Sequence, residues 1–205
     1  MEHQHIPRPR NKAKAEIRRE RCGGREVIVK DYSRRHVLAR LYGRCTLRLE
    51  TRAYRRLAGL AGIPGLHGPE GPDVLVIDYI PSRTLNRLPR GTVPAEVFDR
   101  LDGLVARIHA RGVAIVDLHG SNVLLTDSGG VAVVDFAHAL VARRPERPGA
   151  LVRFFMQLDL HAAARMRARY LHTREPAPSG RFGAAYRAVK FLKRRLRKIK
   201  KTLRI

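Results

Sequence analysis

Two apolar runs, Val123-Leu124-Leu125 and Val131-Ala132-Val133-Val134, flank the turn Thr126-Asp127-Ser128-Gly129-Gly130, and no other pattern constrains the chain as strongly. Turn-forming residues between two strand-forming runs predict an antiparallel hairpin. A hairpin returns the chain to the end it left, so Asn122 just before the first strand and Asp135 just after the second become neighbours. Asp117, five residues before Asn122, can reach the same place. Two carboxylates and an amide oxygen form a hard oxygen donor set, which suits Mg²⁺ and its bound phosphates better than zinc or copper. The chemistry expected at this end of the hairpin is phosphoryl transfer.

Around this centre the periodicities predict a mixed chain. Residues 1–20 are polar and basic, with Pro7 and Pro9, and read as a loose arm or a frayed helix. Residues 26 to 30 (EVIVK) read as a strand, joined through a turn at Cys22-Gly23-Gly24 to a strand before it. Ser33 would cap a short helix with Val37, Leu38, Leu41 and Tyr42 on one face. A second helix is expected from about Thr46 to Leu60, with Leu49, Ala53, Leu57 and Leu60 as its buried stripe, and Val74 to Ile77 as a strand beyond it. The clearest helix has Pro94 in its first turn and stops at Gly112. Val97, Leu101, Leu104, Val105 and Ile108 share one face, with Glu96 and Asp99 near the positive dipole end and Arg107 and Arg111 near the negative. Two further helical stretches are expected, at residues 151 to 170 and from about Phe182 to the end.

The segments GVAIVDLHGSNVLL and VAVVDFAHAL resemble the catalytic loop and metal-binding segment of the protein-kinase superfamily. Asp117 and Asn122 match its D-x-x-x-x-N pattern, and Asp135-Phe136-Ala137 stands where D-F-G would. The strand VIVK ending at Lys30 resembles V-A-I-K, Glu50 lies on the following helix where the partner of that lysine would be, and Ile77-Asp78-Tyr79-Ile80 resembles the hinge that holds adenine. The resemblance implies an α+β, small bilobal protein-kinase-like fold, with a reduced N-lobe sheet and a mostly helical C-lobe. It implies ATP and Mg²⁺ as cofactors, Lys30 on the phosphates and oriented by Glu50, Asp78 and Ile80 at the base, and Asn122 and Asp135 on the metal. Asp117 would accept or orient the substrate hydroxyl. The corresponding domain division is 1–20 as a basic arm, 21–80 as the N-lobe, 81–175 as the C-lobe, and 176–205 as a basic C-terminal helix.

Departures from the pattern narrow the family. Ile115-Val116-Asp117 replaces H-R-D, so the arginine that senses a phosphorylated activation loop is missing; no A-P-E follows; no G-x-G-x-x-G precedes Lys30; and Ala137 replaces the glycine of D-F-G. These gaps resemble the small atypical kinases, namely the RIO-like kinases and the lipopolysaccharide core kinases that phosphorylate heptose or Kdo. The stretch LARLYGRCTLRLETRAYRRL resembles the arginine-rich approach to the lysine-partner helix in the sugar-kinase group. The acceptor expected on that resemblance is a lipopolysaccharide core sugar or another glycolipid hydroxyl. A RIO-like serine/threonine kinase is the alternative, and a pseudokinase or basic adaptor a further one. Among lesser candidates, His119 is expected near substrate or as a structural hydrogen-bonder and His109 as a helix-end packing residue. Asp159 is weighed as a brace for the catalytic loop and read instead as an ordinary surface aspartate.

Charge adds the partner. A formal net charge of +24 over 205 residues predicts attraction to a polyanion: nucleic acid, an anionic bilayer or a phosphorylated glycolipid. Residues 186 to 205 (YRAVKFLKRRLRKIKKTLRI) carry no acid, while Val189, Leu192, Leu196, Ile199 and Leu203 recur at helical spacing. That basic amphipathic stretch favours an anionic membrane surface over nucleic acid, with a plain packed helix as the other reading. Cys22 and Cys45 form no C-x-x-C pair, which argues against a disulfide framework or structural zinc and for a reducing compartment. Without an apolar leader or membrane-length stretch, the expected location is cytoplasmic, peripheral on the inner face of the cytoplasmic membrane.

Overall fold

The computed structural model describes residues 4–5, 14–180 and 182–187. A short strand β1 (Gln4–His5) precedes β2 (Glu16–Cys22) and β3 (Arg25–Asp31), which form a hairpin with Cys22 opposite Arg25. The turn between them is Gly23-Gly24, at φ 56° and 80°, the left-handed pair that matches the twist of a tight hairpin and that glycine adopts without strain. Residues 16–20, expected in the loose arm, are therefore strand. Helix α1 (Val37–Arg56) follows, then β4 (Leu66–Pro69) and β5 (Val74–Asp78), and the five strands make one antiparallel sheet in the order β1-β2-β3-β5-β4. Alternation along β3 sends Val27, Val29 and Asp31 to the outer face, and Ile28 and Lys30 to the inner face, opposite Ile77 and Leu75.

Helix α1 corrects two expectations. The chain from Val37 to Arg56 is one helix that runs through the weak formers Gly43, Cys45 and Thr46, and Gly43 sits where the backbone approaches the ring of Tyr32. Its buried side is also only in part the expected one: Ala53 and Leu57 of the expected stripe are buried, and Leu49 is not. Gly43, Thr46, Leu47, Glu50, Ala53 and Tyr54 face inward, whereas Val37, Leu38, Leu41, Tyr42 and Leu49 are 41 to 72% exposed. Ser33 does not cap the helix: its N–H donates to Asp31 Oδ1, and the cap position is His36.

The second lobe begins with β6 (Ser82–Thr84) and a 3₁₀ turn, Leu85–Arg87, followed by α2 (Ala95–Ala110), β7 (Val113–Ala114), β8 (Val123–Thr126), β9 (Val131–Val133), β10 (Leu140–Val141) and α3 (Ala150–Tyr170). The expected hairpin is present, with Val123 opposite Val133 and β6 on the outer side of β8. All five apolar residues anticipated on one face of α2 are buried. Residues 182–187 are helical and lie against α3, Phe182 on Phe154 and Tyr186 on His161 at 4.9 Å between ring centroids. The remainder of the expected C-terminal helix lies outside the described residues.

One core joins the lobes. Leu57 and Leu75 from the first meet Leu101, Leu104 and Phe136 from the second, and the Tyr54 and Phe136 rings pack edge to face, 5.1 Å between centroids and 79° apart. Placing a Cβ on Gly43 would bring it 2.4 Å from the Tyr32 ring. Gly43→Ala, which in an open helix position would stabilise by about 1 kcal/mol, is therefore expected to destabilise by about 1–3 kcal/mol, measured as a lower urea midpoint at unchanged slope.

Candidate active site

Lys30 leaves the inner face of β3 beneath the sheet and is 12% exposed, too buried for an ammonium without partners. It has two. Its Nζ donates to Glu50 Oε1 at 2.6 Å and to Asp135 Oδ1 at 3.2 Å, joining β3, α1 and the end of the hairpin. Burial alone lowers the Lys30 pKa, but the carboxylates of Glu50 and Asp135 outweigh it and hold the pKa well above its ordinary value. Burial is also the largest influence on Glu50 and raises its pKa, with the Lys30 charge opposing. Asp135 goes the other way: burial would raise it, but the Lys30 charge and hydrogen bond, helped by the Ala137 N–H, keep it below the usual carboxylate range.

The hairpin brings Asn122 and Asp135 together as its register requires, with the Val134 N–H donating to the Asn122 carbonyl at 3.0 Å. Asn122 is buried, and its Nδ2 donates to the backbone carbonyl of Asp117 at 3.1 Å, which commits the amide nitrogen and leaves Oδ1 to the cleft. Asp117 is exposed at the cleft mouth, with His119 Nε2 3.5 Å from its carboxylate. Asp135 sits at φ 67°, a conformation non-glycine residues rarely adopt, and this turns its carboxylate toward Lys30.

Two adjoining cavities result. One, of about 570 Å³, is lined by Lys30, Glu50, Asp117, His119, Asn122 and Asp135 together with Tyr32 and Tyr42. The other, of about 680 Å³, has apolar walls from Ile17, Ile28, Ile77, Leu124 and Val134, and a rim from Asp78, Tyr79 and Ile80. They share Lys30, Asn122 and Asp135, so a flat apolar group in the second would extend charged substituents into the first. Every site residue expected from sequence thus lines one of these two cavities. The Asp78 side chain turns away from the cavity, and its carboxylate accepts from the Gly65 N–H at 2.9 Å and contacts His67 at 2.5 Å. At Asp78 the contribution to the cavity comes from the backbone and its placement.

Asp159 is not the surface residue that the sequence suggests. It is 1% exposed on α3 and accepts the N–H groups of Ile115 at 2.7 Å and Val116 at 2.9 Å, while His109 contacts it at 3.1 Å. Val116, at φ 72°, is strained for a β-branched residue and immediately precedes Asp117. The aspartate fixes that bend and hence the direction of Asp117. A sequence signal was there: Met156, Asp159, Ala163, Met166 and Tyr170 share the buried stripe of α3, and an acid in such a stripe needs internal donors.

No family model matches the chain, and no curated protein sequence does. Among solved structures it is similar to the crystal structure of the Rio2 kinase from Chaetomium thermophilum, with a TM-score of 0.62 and 13% identity, over 84% of this chain and 59% of that one. It is similar also to the Rio2 kinase-ADP/Mg2+-phosphoaspartate complex from the same organism, with a TM-score of 0.61 and 14% identity, over 93% of this chain and 67% of that one. The chain spans about 59% of the first structure's length. At such identities the likeness establishes the fold, and that fold is the atypical protein-kinase-like one.

Two outcomes test the geometry. Asp159→Ala leaves two backbone N–H groups without an acceptor and is expected to cost about 3 kcal/mol in urea unfolding, with Asp159→Asn recovering part of the loss. Asp135 gains from ionisation in the folded state, so its contribution to stability is full at neutral pH and disappears as pH falls through its lowered folded-state pKa. In Lys30→Met the Asp135 carboxyl should titrate at higher pH than in the wild type, read by carbon NMR of the side-chain carboxyl; an unchanged midpoint would contradict the assignment.

Proposed function

We propose that the chain is an ATP-dependent kinase that transfers the γ-phosphate to a hydroxyl, most specifically that of a lipopolysaccharide core sugar, heptose or Kdo, or a comparable glycolipid at the cytoplasmic membrane face. The observation that carries the kinase reading is Lys30 bound at once to Glu50 and Asp135, in a cavity also lined by Asp117 and Asn122. One further feature supports ATP over a free phosphate donor: the apolar cavity beside that cluster has the size and walls for a purine base.

Each residue has a definable part. The Lys30 ammonium, fixed by Glu50, offers the remaining direction of its charge to phosphate oxygens. Asn122 Oδ1 and the second carboxylate oxygen of Asp135 are hard donors suited to Mg²⁺, since Asp135 Oδ1 is already used by Lys30 and the Asn122 nitrogen by Asp117. When bound, the metal would neutralise charge on the phosphates. Asp117, exposed at the mouth, accepts a hydrogen bond from the acceptor hydroxyl and aligns it for in-line attack, while His119 holds that carboxylate from the side. Positioning and charge neutralisation supply the acceleration.

The glycolipid acceptor draws support from the excess of positive charge and from the short path between Asp135 and α3, which leaves little surface for an extended peptide. The likeness to Rio2 kinase favours the second reading, a RIO-like serine/threonine protein kinase, equally well. One of the two similar Rio2 structures is a phosphoaspartate complex, so a transient acyl phosphate on this chain belongs to that reading. ATP turnover with lipopolysaccharide core, casein and RNA as acceptors separates them. Asp117→Ala and Lys30→Ala are each expected to lower turnover at least about a hundredfold, and equal rates in wild type and variants would end the kinase reading. Label on casein, or hydroxylamine-labile label on the chain itself, would favour the protein-kinase reading over the glycolipid one.

A further inference from the structure

Helix α1 turns its wrong side to water. Val37, Leu38, Leu41, Tyr42, Cys45 and Leu49 fall within a sector of about 140° on a wheel of 3.6 residues per turn, opposite the buried face. Val37 is 61% exposed, Leu38 72% and Leu41 51%. On the same side, toward the C-terminal end, stand Arg48, Arg52, Arg55 and Arg56, which with Thr51 and Gly71 line an open concavity of about 630 Å³. The single acid of the helix, Glu50, is buried against Lys30, so the outer face has only apolar and cationic side chains. Arg40 and Arg44 are neutralised by Asp73 at the edge, whereas Arg48, Arg52, Arg55 and Arg56 enter no ion pair among the described residues.

We propose that this outer face of α1 docks the protein on an anionic bilayer, with Leu38 and Leu41 entering the acyl boundary and the four arginines lying among lipid phosphates. Apolar and cationic side chains on one helix face, with no acid, are what an interfacial helix needs. The charge pattern selects this occupant. The basic stretch at residues 188–205 has the same sign as the arginines and would be repelled, as would a second copy of the same face. Nucleic acid would use the arginines but gains nothing from four exposed aliphatic side chains, and only Tyr42 offers a stacking ring. Continuity with the site is the second argument. Tyr42, in this face, also lines the cavity of Asp117 and His119, so docking sets the mouth of that cavity at headgroup level, where a membrane-held hydroxyl would be. That last consequence rests on the glycolipid reading; the docking itself does not.

The test is vesicle flotation of the full chain without ATP, using phosphatidylcholine vesicles with and without phosphatidylglycerol. Wild type should float with the anionic vesicles only. Leu38→Ser/Leu41→Ser and Arg52→Gln/Arg55→Gln should each weaken partition roughly tenfold or more. Leu38→Trp/Leu41→Trp should strengthen it, an outcome misfolding cannot mimic. Flotation of the serine variant equal to wild type would overturn the proposal, because binding would then come from other basic segments. So would a wild-type dimer dissociated by the serine pair, or binding to single-stranded RNA that depends on the arginines while anionic vesicles are ignored. ATP turnover measured without vesicles should be the same in all these variants, so loss of flotation with intact turnover separates failure of docking from failure of the kinase reading.

Discussion

The structure is organised around one buried ammonium. Lys30 lies beneath the sheet with, among the described residues, two carboxylates to replace its water, and those come from a helix and from the end of a hairpin far along the chain. Removing a charge from solvent costs several kcal/mol, which the pair recovers only if both acids are held at hydrogen-bond distance. The arrangement is therefore a constraint on assembly more than a source of stability: α1 must sit at one height against β3, and the hairpin must end at one place. The Phe136 N–H also bonds to Glu50, and the Phe136 ring packs on Tyr54, so apolar packing and ion pairing specify the same register between the lobes.

A second constraint acts on the other side of the cleft. Val116 and Asp135 both occupy left-handed backbone conformations that their side chains disfavour; Asp135 belongs to the ionic cluster, and Val116 immediately precedes Asp117 at the cleft mouth. Strain of that kind persists only where surrounding bonds over-determine it. For Val116 the bonds come from Asp159, whose two oxygens each take a backbone N–H; for Asp135 they come from Lys30 and the Ala137 N–H.

The site is largely legible in the sequence because its parts are local patterns. The hairpin follows from turn chemistry, Lys30 from a β-branched strand, and the α2 face from a strong period. Strand β2 is hidden: Ile17 is its one aliphatic side chain, and its alternation is of ion pairs, Arg18 with Asp31 and Arg19 with Glu26, which composition reads as a solvated tail. Helix α1 reads inside out because its buried face carries Gly43, Thr46 and Glu50, suited to close approach and to the lysine, and leaves Leu38, Leu41 and Leu49 outside. Hydrophobic periodicity assumes that apolar means inward, an assumption that fails when a helix serves a polar site. Asp159 needs a partner on another element, and no local window contains it.

The pairing of β10 with β7 has a geometric meaning. Leu140 opposite Ala114 and Val141 opposite Val113, with the Ala142 N–H on the Gly112 carbonyl at 2.7 Å, stitch the chain after Asp135 directly onto the strand that leads into Asp117. The backbone that leaves Asp135 is thereby hydrogen-bonded to the backbone that leads into Asp117, and folding alone sets the spacing of the two acids.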